Sequence, residues 1–173
     1  MLKIRQEIPS DYDEIYELVK VSFATTSGDD GSTPDYLNAV RKKDAFIPEL
    51  SLVAENDNGK LIGQIVLYKT IITTLKGEIT ELLISPICVH PDFFRRGIAR
   101  SMIEESIRIA EKMGYSAVFL CGNPNFYKKV GFTPTFKYEI FHIKDESKSA
   151  EWSMVREIFN GALTGISGTI NTN

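Results

Sequence analysis

The spacing of hydrophobic residues along the first half of the chain predicts both strands and helices. Apolar residues alternate with polar ones near the N-terminus and recur every three or four positions in two later segments. The predicted elements are a strand at 2–8, helices at about 11–25 and 33–43, and β-rich segments at 50–55 and 60–74. Between the last two lies Asp57-Asn58-Gly59, and an Asn-Gly pair favours a tight type I′ hairpin. This half therefore predicts antiparallel pairing.

The second half predicts an interrupted strand, an amphipathic helix and a parallel strand. Residues 79–90 are rich in Ile, Leu and Val, but Pro86 cannot donate to a sheet, so we expect the strand to bulge, bend or leave its neighbour there. Apolar residues on one face predict a helix over 97–113, with Gly114 as its C-terminal cap. The apolar run at 116–121 is typical of a buried parallel strand. A short helix at about 125–130 and strands at 136–143 and 152–159 are predicted after it.

Composition and charge narrow the class of protein. The chain has 173 residues, of which 43% are hydrophobic and 25% charged, values typical of one globular domain that we expect to span 1–173. Lys and Arg number 20 against 23 Asp and Glu, and the net charge of −3 argues against a nucleic-acid partner. No apolar run approaches the roughly 20 residues that span a bilayer, and the N-terminus has no apolar signal core. We therefore expect a cytoplasmic protein with no membrane partner.

The two cysteines and two histidines do not form a metal-binding pattern. Cys88 and Cys121 each lie in an apolar, strand-like run, where a thiol usually serves as a small buried hydrophobic group. His90 and His142 are the only histidines, and neither falls at ligand spacing from a cysteine pair. We expect no metal site.

The segment HPDFFRRGIAR, residues 90–100, places three arginines at the start of the amphipathic helix. Positive charge at a helix N-terminus is unfavourable by roughly 0.3–1 kcal/mol per group, and a bound anion reverses the sign. Gly97 and Ala99 would let a ligand approach the backbone, whose first-turn amides donate to phosphate oxygens. A solvated charged turn is the alternative. The interruption at Pro86, just before this segment, favours an extended ligand with a phosphate end, a shape that coenzyme A has.

These residues resemble the core motif of the GNAT superfamily of acetyl-CoA-dependent N-acetyltransferases. That motif is a Gln/Arg-x-x-Gly-x-Gly/Ala turn after a Val-x-Pro strand end. The chain has Val89 and Pro91 at the strand end, and Gly97 and Ala99 match the turn. Phe94 stands where the family has Gln or Arg, so the resemblance implies that backbone amides hold the phosphates there.

Two further segments extend the resemblance over nearly the whole chain. The run NFYKKVGF at 125–132 is similar to the family's Phe-Tyr-x-Lys-x-Gly-Phe run after the fifth strand. The tail ALTGISGT at 162–169 is similar to that of a subgroup of acetyltransferases of this length. The resemblance implies an α/β fold with a mixed sheet, mostly antiparallel and splayed between strands four and five, flanked by about four helices.

The resemblance also implies where acetyl-CoA, the cosubstrate, would bind. The pantetheine arm would pair with the main chain at the end of strand four, and the pyrophosphate would rest on the amides of the arginine-rich turn. A residue just past the fifth strand would contact the cofactor. The expected cofactor-binding residues are Ile87, Cys88, Val89, Arg95, Arg96, Gly97, Ile98, Ala99, Arg100 and Asn123.

By the same resemblance, Tyr127 would protonate or hydrogen-bond the departing thiolate. Glu81 is the candidate base for the amine, because a carboxylate inside an apolar strand is unfavourable unless it is paired or used. A solvated position for Glu81 and a base made of water molecules remain open. A thiol nucleophile formed by Cys88 with His90 is not favoured, and we expect direct attack of a primary amine in a ternary complex.

Two other classes of protein are alternatives to an acetyltransferase. A non-catalytic module could keep the cofactor site and bind acyl-CoA without a working acid and base. A doubly wound nucleotide-binding protein is disfavoured, because the chain has one clear crossover and no Gly-rich phosphate motif of that class. The acceptor would be an amine on a small molecule or peptide, and the late strands could pack within the chain or form a homodimer with a second copy.

Overall fold

The computed structural model describes residues 2–27 and 29–172, which form a mixed α/β fold. This part of the chain contains nine strands and four α-helices. The strands are β1 (Lys3–Gln6), β2 (Phe46–Glu55), β3 (Leu61–Thr74), β4 (Gly77–Val89), β5 (Ala117–Cys121), β6 (Thr133–Pro134), β7 (Ile140–His142), β8 (Ser153–Glu157) and β9 (Gly168–Ile170). The helices are α1 (Tyr12–Phe23), α2 (Thr33–Val40), α3 (Ile98–Lys112) and α4 (Pro124–Tyr127). The sheet is mostly antiparallel, with β4 and β5, and β7 and β9, as parallel pairs.

The described residues form two compact units. The first contains the chain up to Tyr68 together with Ser85–Ile109. The second contains Lys69–Ile84 and the chain from Ala110 onward. The single acetyltransferase domain expected over 1–173 stays a prediction.

The first unit is built on antiparallel strands with helices packed against them. Ile4 of β1 lies opposite Ala54 of β2, and Val53 of β2 lies opposite Gln64 of β3. On α3, Met102 is fully buried, and a methyl group on Gly63 of β3 would meet its side chain at 2.9 Å. Glycine at this position therefore lets the amphipathic helix pack closely on the sheet.

The turn between β2 and β3 differs from the predicted type I′ hairpin. Within the described turn only Gly59 has a positive φ, of 77°, whereas a type I′ turn needs positive φ at both central residues. The side chain of Asn56 supplies the reason, because its Oδ1 accepts from the amides of Asn58 and Lys60, both at 3.0 Å. This Asx arrangement holds Asn58 out of the left-handed region, and the strand register shifts between Ala54 and Glu55. The prediction of antiparallel pairing is confirmed, and that of the turn type is wrong.

The second unit contains both parallel pairs and the other late strands. Leu82 and Leu83 of β4 lie opposite Val118 and Phe119 of β5, and β5 then pairs antiparallel with β8. The strand predicted at 136–143 is shorter than expected, because Thr135–Tyr138 forms a 3-10 helix before β7 begins. The sequence pattern missed β6 and β9, which are only two and three residues long.

The helix that leads from β4 to β5 was predicted to within one residue at each end. It spans α3 as given above, and its cap, Gly114, has a φ of 87°. Tyr115 donates its amide to the carbonyl of Ala110, which is the hydrogen bond typical of a glycine-capped helix end.

Candidate active site

The end of β4 presents backbone amides on the side away from β3. His90 donates its amide to the carbonyl of Ile62 at 2.9 Å, which fixes this end of the strand to β3. Because amides alternate from side to side along a strand, those of Ile87 and Val89 face the opposite way. Among the described residues the last parallel pair of β4 is Leu83 with Phe119, so the pairing with β5 ends before Pro86. The predicted break in pairing near the proline is confirmed.

The turn before α3 carries a run of amides without acceptors. The first helical hydrogen bond runs from the amide of Ser101 to the carbonyl of Gly97, at 3.0 Å. In the part of the chain that the structure describes, no oxygen accepts from the amides of Arg95 and Gly97–Arg100, while the amide of Arg96 closes a loose turn over Phe94 and Arg95. Arg95 and Gly97 have positive φ values of 61° and 78°, a backbone form typical of anion-binding turns. The turn can therefore offer several donors to one phosphate group.

The three arginines of this turn have different surroundings. All three are exposed, and they differ in the contacts that their side chains make. Arg96 folds back over the turn, with its guanidinium carbon 5.0 Å from the ring centroid of Phe93 and its Nη2 donating to the carbonyl of Asp92 at 3.2 Å. Phe94, at the position of the family's Gln or Arg, is 49% exposed. The sequence pattern did not single out Phe93, which is identified only by its contact with Arg96.

A cavity of about 370 Å³ lies in the first unit beside this turn. Apolar side chains form part of its wall, and the turn between β2 and β3 forms another part. Its lining residues are Leu2, Asn56, Asp57, Asn58, Ile62, Phe93, Arg96 and Ile98. The sequence pattern did not predict this cavity, because its walls come from three segments that are far apart in the chain.

The two thiols differ in burial. Cys88 is buried, as predicted, and burial raises the pKa of its thiol to about 12. A thiol with that pKa carries almost no thiolate at neutral pH, so Cys88 is unsuited to nucleophilic catalysis. Cys121 is exposed at the end of β5, and the prediction that it is buried is wrong, because it is the last residue of the strand. Among the described residues, no three His, Cys, Asp or Glu side chains form a group that could hold a metal ion.

Tyr127 lies at the end of α4 in the second unit. Its ring packs edge-on against Phe126 and Phe132, with centroids 4.9 and 5.7 Å away. A methyl group on Gly122 would collide with this ring, so the glycine after β5 is needed for the tyrosine to pack there. Burial raises the pKa of Tyr127 to about 12, which keeps its hydroxyl protonated at neutral pH.

Asn123 acts as the cap of α4. Its Oδ1 accepts from the amide of Asn125 at 2.9 Å, which is the usual N-cap interaction. The side-chain NH2 group is not used in this contact, so a contact with cofactor through that group stays a prediction. The structure thus gives Asn123 a local role that also explains its position before Pro124.

Glu81 is buried, and its carboxylate is paired with backbone amides. Its Oε2 accepts from the amides of Ser116 and Ala117, both at 3.0 Å, at the start of β5. Desolvation raises the pKa of Glu81, and these two hydrogen bonds oppose that effect. The solvated position that the sequence left open is excluded by the 5% exposure. Glu81 therefore positions β5, and its role as a base stays a prediction.

The predicted site residues divide between the two units. The first unit contains the candidates for binding the cofactor chain and phosphates, namely Ile87, Cys88, Val89 and Arg95–Arg100. The second unit contains Glu81, Asn123 and Tyr127.

Comparison with known proteins identifies the family. The family model described as "Acetyltransferase (GNAT) domain" matches residues 3–135, which is more than half of the chain. The protein belongs to the GNAT acetyltransferase family. Membership confirms the resemblance seen in the sequence and establishes the protein as an acyltransferase that uses acetyl-CoA.

Particular relatives cover most of the chain. The uncharacterized N-acetyltransferase YhbS of Escherichia coli K12 is 27% identical over 168 residues, which are 96% of this chain and 93% of YhbS. The crystal structure of E. coli YhbS in complex with CoA has a TM-score of 0.84 at 25% identity, covering 98% of this chain and 88% of that one. A GNAT family acetyltransferase from Brucella melitensis, in complex with acetyl-CoA, has a TM-score of 0.69 at 27% identity, covering 76% and 82%.

No helix in the described part of the chain is long and apolar enough to cross a membrane.

Proposed function

We propose that this protein transfers the acetyl group of acetyl-CoA to a primary amine of a small molecule or peptide, by direct attack in a ternary complex. The observation that carries the proposal is the set of amides without acceptors at the start of α3, those of Arg95 and Gly97–Arg100. The turn that carries these amides follows the end of β4, where the amides of Ile87 and Val89 face away from β3. The proposal is also supported by two relatives whose structures are complexes with CoA and with acetyl-CoA.

The first unit would bind the donor. The amides of Arg95–Arg100 would donate to the pyrophosphate, and the partial positive charge of the helix N-terminus adds to the attraction. The main chain of Ile87, Cys88 and Val89 would pair with the pantetheine arm as an added strand would. An amide at Ile87 or Val89 would also donate to the thioester oxygen as negative charge develops on it.

In the transfer one bond forms and one breaks, and there are two proton transfers. The amine nitrogen bonds to the thioester carbonyl carbon, and the bond from that carbon to sulfur breaks. The nitrogen loses a proton, the thiolate gains one, and the products are an amide and coenzyme A. No acyl-enzyme is required, which agrees with the protonated, buried state of the Cys88 thiol.

Tyr127 would donate a hydrogen bond to the departing thiolate. A phenol with a pKa of about 12 is a weaker acid than an ordinary thiol, whose pKa is about 8.5. Complete proton transfer from Tyr127 to the thiolate is therefore unfavourable. Hydrogen-bond donation as charge develops on sulfur is the role that this pKa supports, and solvent can supply the proton afterwards.

Glu81 is the candidate base, and its surroundings give it two tasks. A carboxylate with a raised pKa is a better base near neutral pH. The same carboxylate holds the amides of Ser116 and Ala117, so any proton that it takes up must not break those hydrogen bonds.

Asn123 would contact the pantetheine through the side-chain NH2 group that its capping role leaves unused.

A screen of primary amines tests the proposal. The protein is incubated with acetyl-CoA and each amine, and the release of free thiol is followed against controls without amine. The expected result is amine-dependent thiol release with an acetylated amine found by mass spectrometry. Thiol release without an acetylated amine, or an acetylated Cys88, would contradict direct transfer to an amine.

Two further statements about the protein in the cell belong to the proposal. We expect it in the cytoplasm, where acetyl-CoA is available and free thiols such as Cys88 and Cys121 stay reduced. A homodimer formed through the late strands is a prediction that sedimentation tests directly.

A further inference from the structure

Arg96 is engaged with its own turn. Its guanidinium lies over the ring of Phe93, with 5.0 Å between the guanidinium carbon and the ring centroid. Its Nη2 also donates to the carbonyl of Asp92 at 3.2 Å. Both contacts reach back to residues three and four positions earlier, so the side chain spans the turn that precedes α3.

Phe93 is held in turn by His90. The two rings meet edge to face, with centroids 5.9 Å apart. His90 itself is tied to the sheet, because its amide donates to the carbonyl of Ile62 at 2.9 Å. Its Nδ1 accepts from the amide of Asp92 at 3.3 Å, which fixes the start of the turn. A continuous set of contacts therefore runs from β3 through His90 and Phe93 to Arg96.

The turn needs such support because of its backbone. Arg95 has a φ of 61°, which is an unfavourable region for a residue with a side chain. Gly97 follows with a φ of 78°, where glycine has no steric penalty. The amides without acceptors begin at Arg95, so the left-handed backbone there determines where the first of them points. Without this support the backbone at Arg95 would leave the left-handed region, and the amides would no longer point toward one phosphate group.

We infer that Arg96 is a positioning residue, which holds the phosphate-binding turn in its binding-competent form by stacking on Phe93. It acts through its contacts with Phe93 and the carbonyl of Asp92, although Arg96, like Arg95 and Arg100, is exposed. Stacking uses the planar guanidinium, so a lysine at this position cannot replace it. This inference rests on the proposed acetyl-CoA site and goes beyond it by assigning the stack of Phe93 and Arg96.

A double-mutant cycle on acetyl-CoA affinity tests the inference. The variants are Phe93→Leu, Arg96→Gln, the double variant and Arg96→Lys, each titrated with acetyl-CoA in a calorimeter. Each single variant is expected to weaken binding about fivefold, because it removes one cation–π contact and with it the support of the phosphate-binding turn. The double variant is expected to weaken binding by the same factor rather than by about 25-fold, because both changes remove one stack. Arg96→Lys is expected to bind as weakly as Arg96→Gln.

A matched control removes an arginine charge elsewhere on the same helix. Arg108 pairs with Glu105 on the exposed face of α3, outside the turn, and Arg108→Gln is expected to leave the affinity unchanged. The thermal midpoint of each variant without ligand is measured as well, so that a folding defect is seen separately. In the free protein, the δ-protons of Arg96 should show an upfield ring-current shift in NMR spectra that disappears in Phe93→Leu.

The possible outcomes separate this inference from the proposed function. Multiplicative losses in the double variant, or full affinity in Arg96→Lys, would overturn the inference and assign Arg96 to direct charge contact with phosphate. Full affinity in Phe93→Leu would overturn it as well. Absence of acetyl-CoA binding by the wild-type protein would overturn the proposed function itself, and the inference with it.

Discussion

At the scale of single residues, the same physical effect gives Tyr127 and Glu81 different chemistry. Burial favours the neutral form of each side chain, so it raises both pKa values. For Tyr127 burial stabilises the phenol, which is already protonated at neutral pH, and makes it a weaker acid. For Glu81 it weakens the charged state, and the amides of Ser116 and Ala117 oppose that loss. Tyr127 is therefore a hydrogen-bond donor, and Glu81 is a structural acceptor that could also take up a proton.

The first prediction concerns Tyr127. Tyr127→Phe removes the hydroxyl and keeps the ring that packs against Phe126 and Phe132. We expect turnover with a saturating amine to fall about 10- to 100-fold, with a much smaller change in the affinity for acetyl-CoA. Tyr138→Phe, which alters a phenol in a 3-10 helix of the same unit, is the control. Unchanged turnover in Tyr127→Phe, once an acceptor is known, would remove the role of its hydroxyl.

The second prediction concerns the two amides that Glu81 holds. Glu81→Ala leaves both amides without their acceptor, and we expect unfolding free energy to fall by about 2–4 kcal/mol in urea titrations. Glu81→Gln keeps an acceptor oxygen of the same reach, and we expect a smaller loss of about 1 kcal/mol. Equal losses in the two variants would show that the hydrogen bonds contribute little to stability.

The pKa of Glu81 gives a third prediction. Burial raises this pKa above its ordinary value of 4.5. Just above pH 4.5 the folded protein therefore keeps a proton that the unfolded chain has released, so the contribution of Glu81 to stability falls as pH rises. Glutamine does not titrate. The unfolding free energy of Glu81→Gln relative to wild type should therefore increase between pH 4.5 and 7, and a constant or decreasing difference would contradict the raised pKa.

At the scale of elements, the sequence pattern predicted the helices better than it predicted the turns and the short strands. The ends of α3 follow from its apolar face and from Gly114, both of which are local in the chain. The turn at 57–59 was predicted wrongly because Asn56, outside the Asn-Gly pair, decides its form. β9 was missed because its Gly168-Thr169-Ile170 has no alternating pattern, and its strand form depends on pairing with β3 and β7.

The candidate site shows the same limit. The arginine-rich turn and Tyr127 were found from local motifs. The partners of Glu81 lie 35 and 36 residues away in the chain, so the sequence could indicate that this carboxylate needs a partner without indicating which one. The stack of Phe93 and Arg96 could not be predicted either, because spacing in a turn does not determine where a long side chain folds.

The fourth prediction tests the pairing of β9 with β3. A methyl group on Gly168 would collide with the backbone carbonyl of Thr73, which cannot move without breaking the pairing. We expect Gly168→Ala to lower the unfolding free energy by about 1–3 kcal/mol. Thr169→Ala, at an exposed position in the same strand, is the control and should change it by less than about 0.5 kcal/mol. Equal stability in both variants would contradict the close approach of the two strands.

At the scale of the whole molecule, the two units separate the proposed tasks. The candidates for holding the phosphates of acetyl-CoA, and all of those for the pantetheine except Asn123, belong to the first unit, whereas Asn123, Glu81 and Tyr127 belong to the second. Variants in the first set should therefore alter donor affinity, while Tyr127→Phe should alter turnover. The acyltransferase class and the cosubstrate follow from family membership, whereas the acceptor must be found by experiment.

The most direct test of the acetyl-CoA site is the thermal unfolding midpoint with and without ligand. A ligand at 100 times its dissociation constant that binds only the folded protein stabilises it by about 2.7 kcal/mol. For a protein of this size, that is a rise of roughly 5–10 °C. We predict such a rise with millimolar acetyl-CoA and with coenzyme A, and none with ATP. No rise with acetyl-CoA, or an equal rise with ATP, would contradict a site built for this donor.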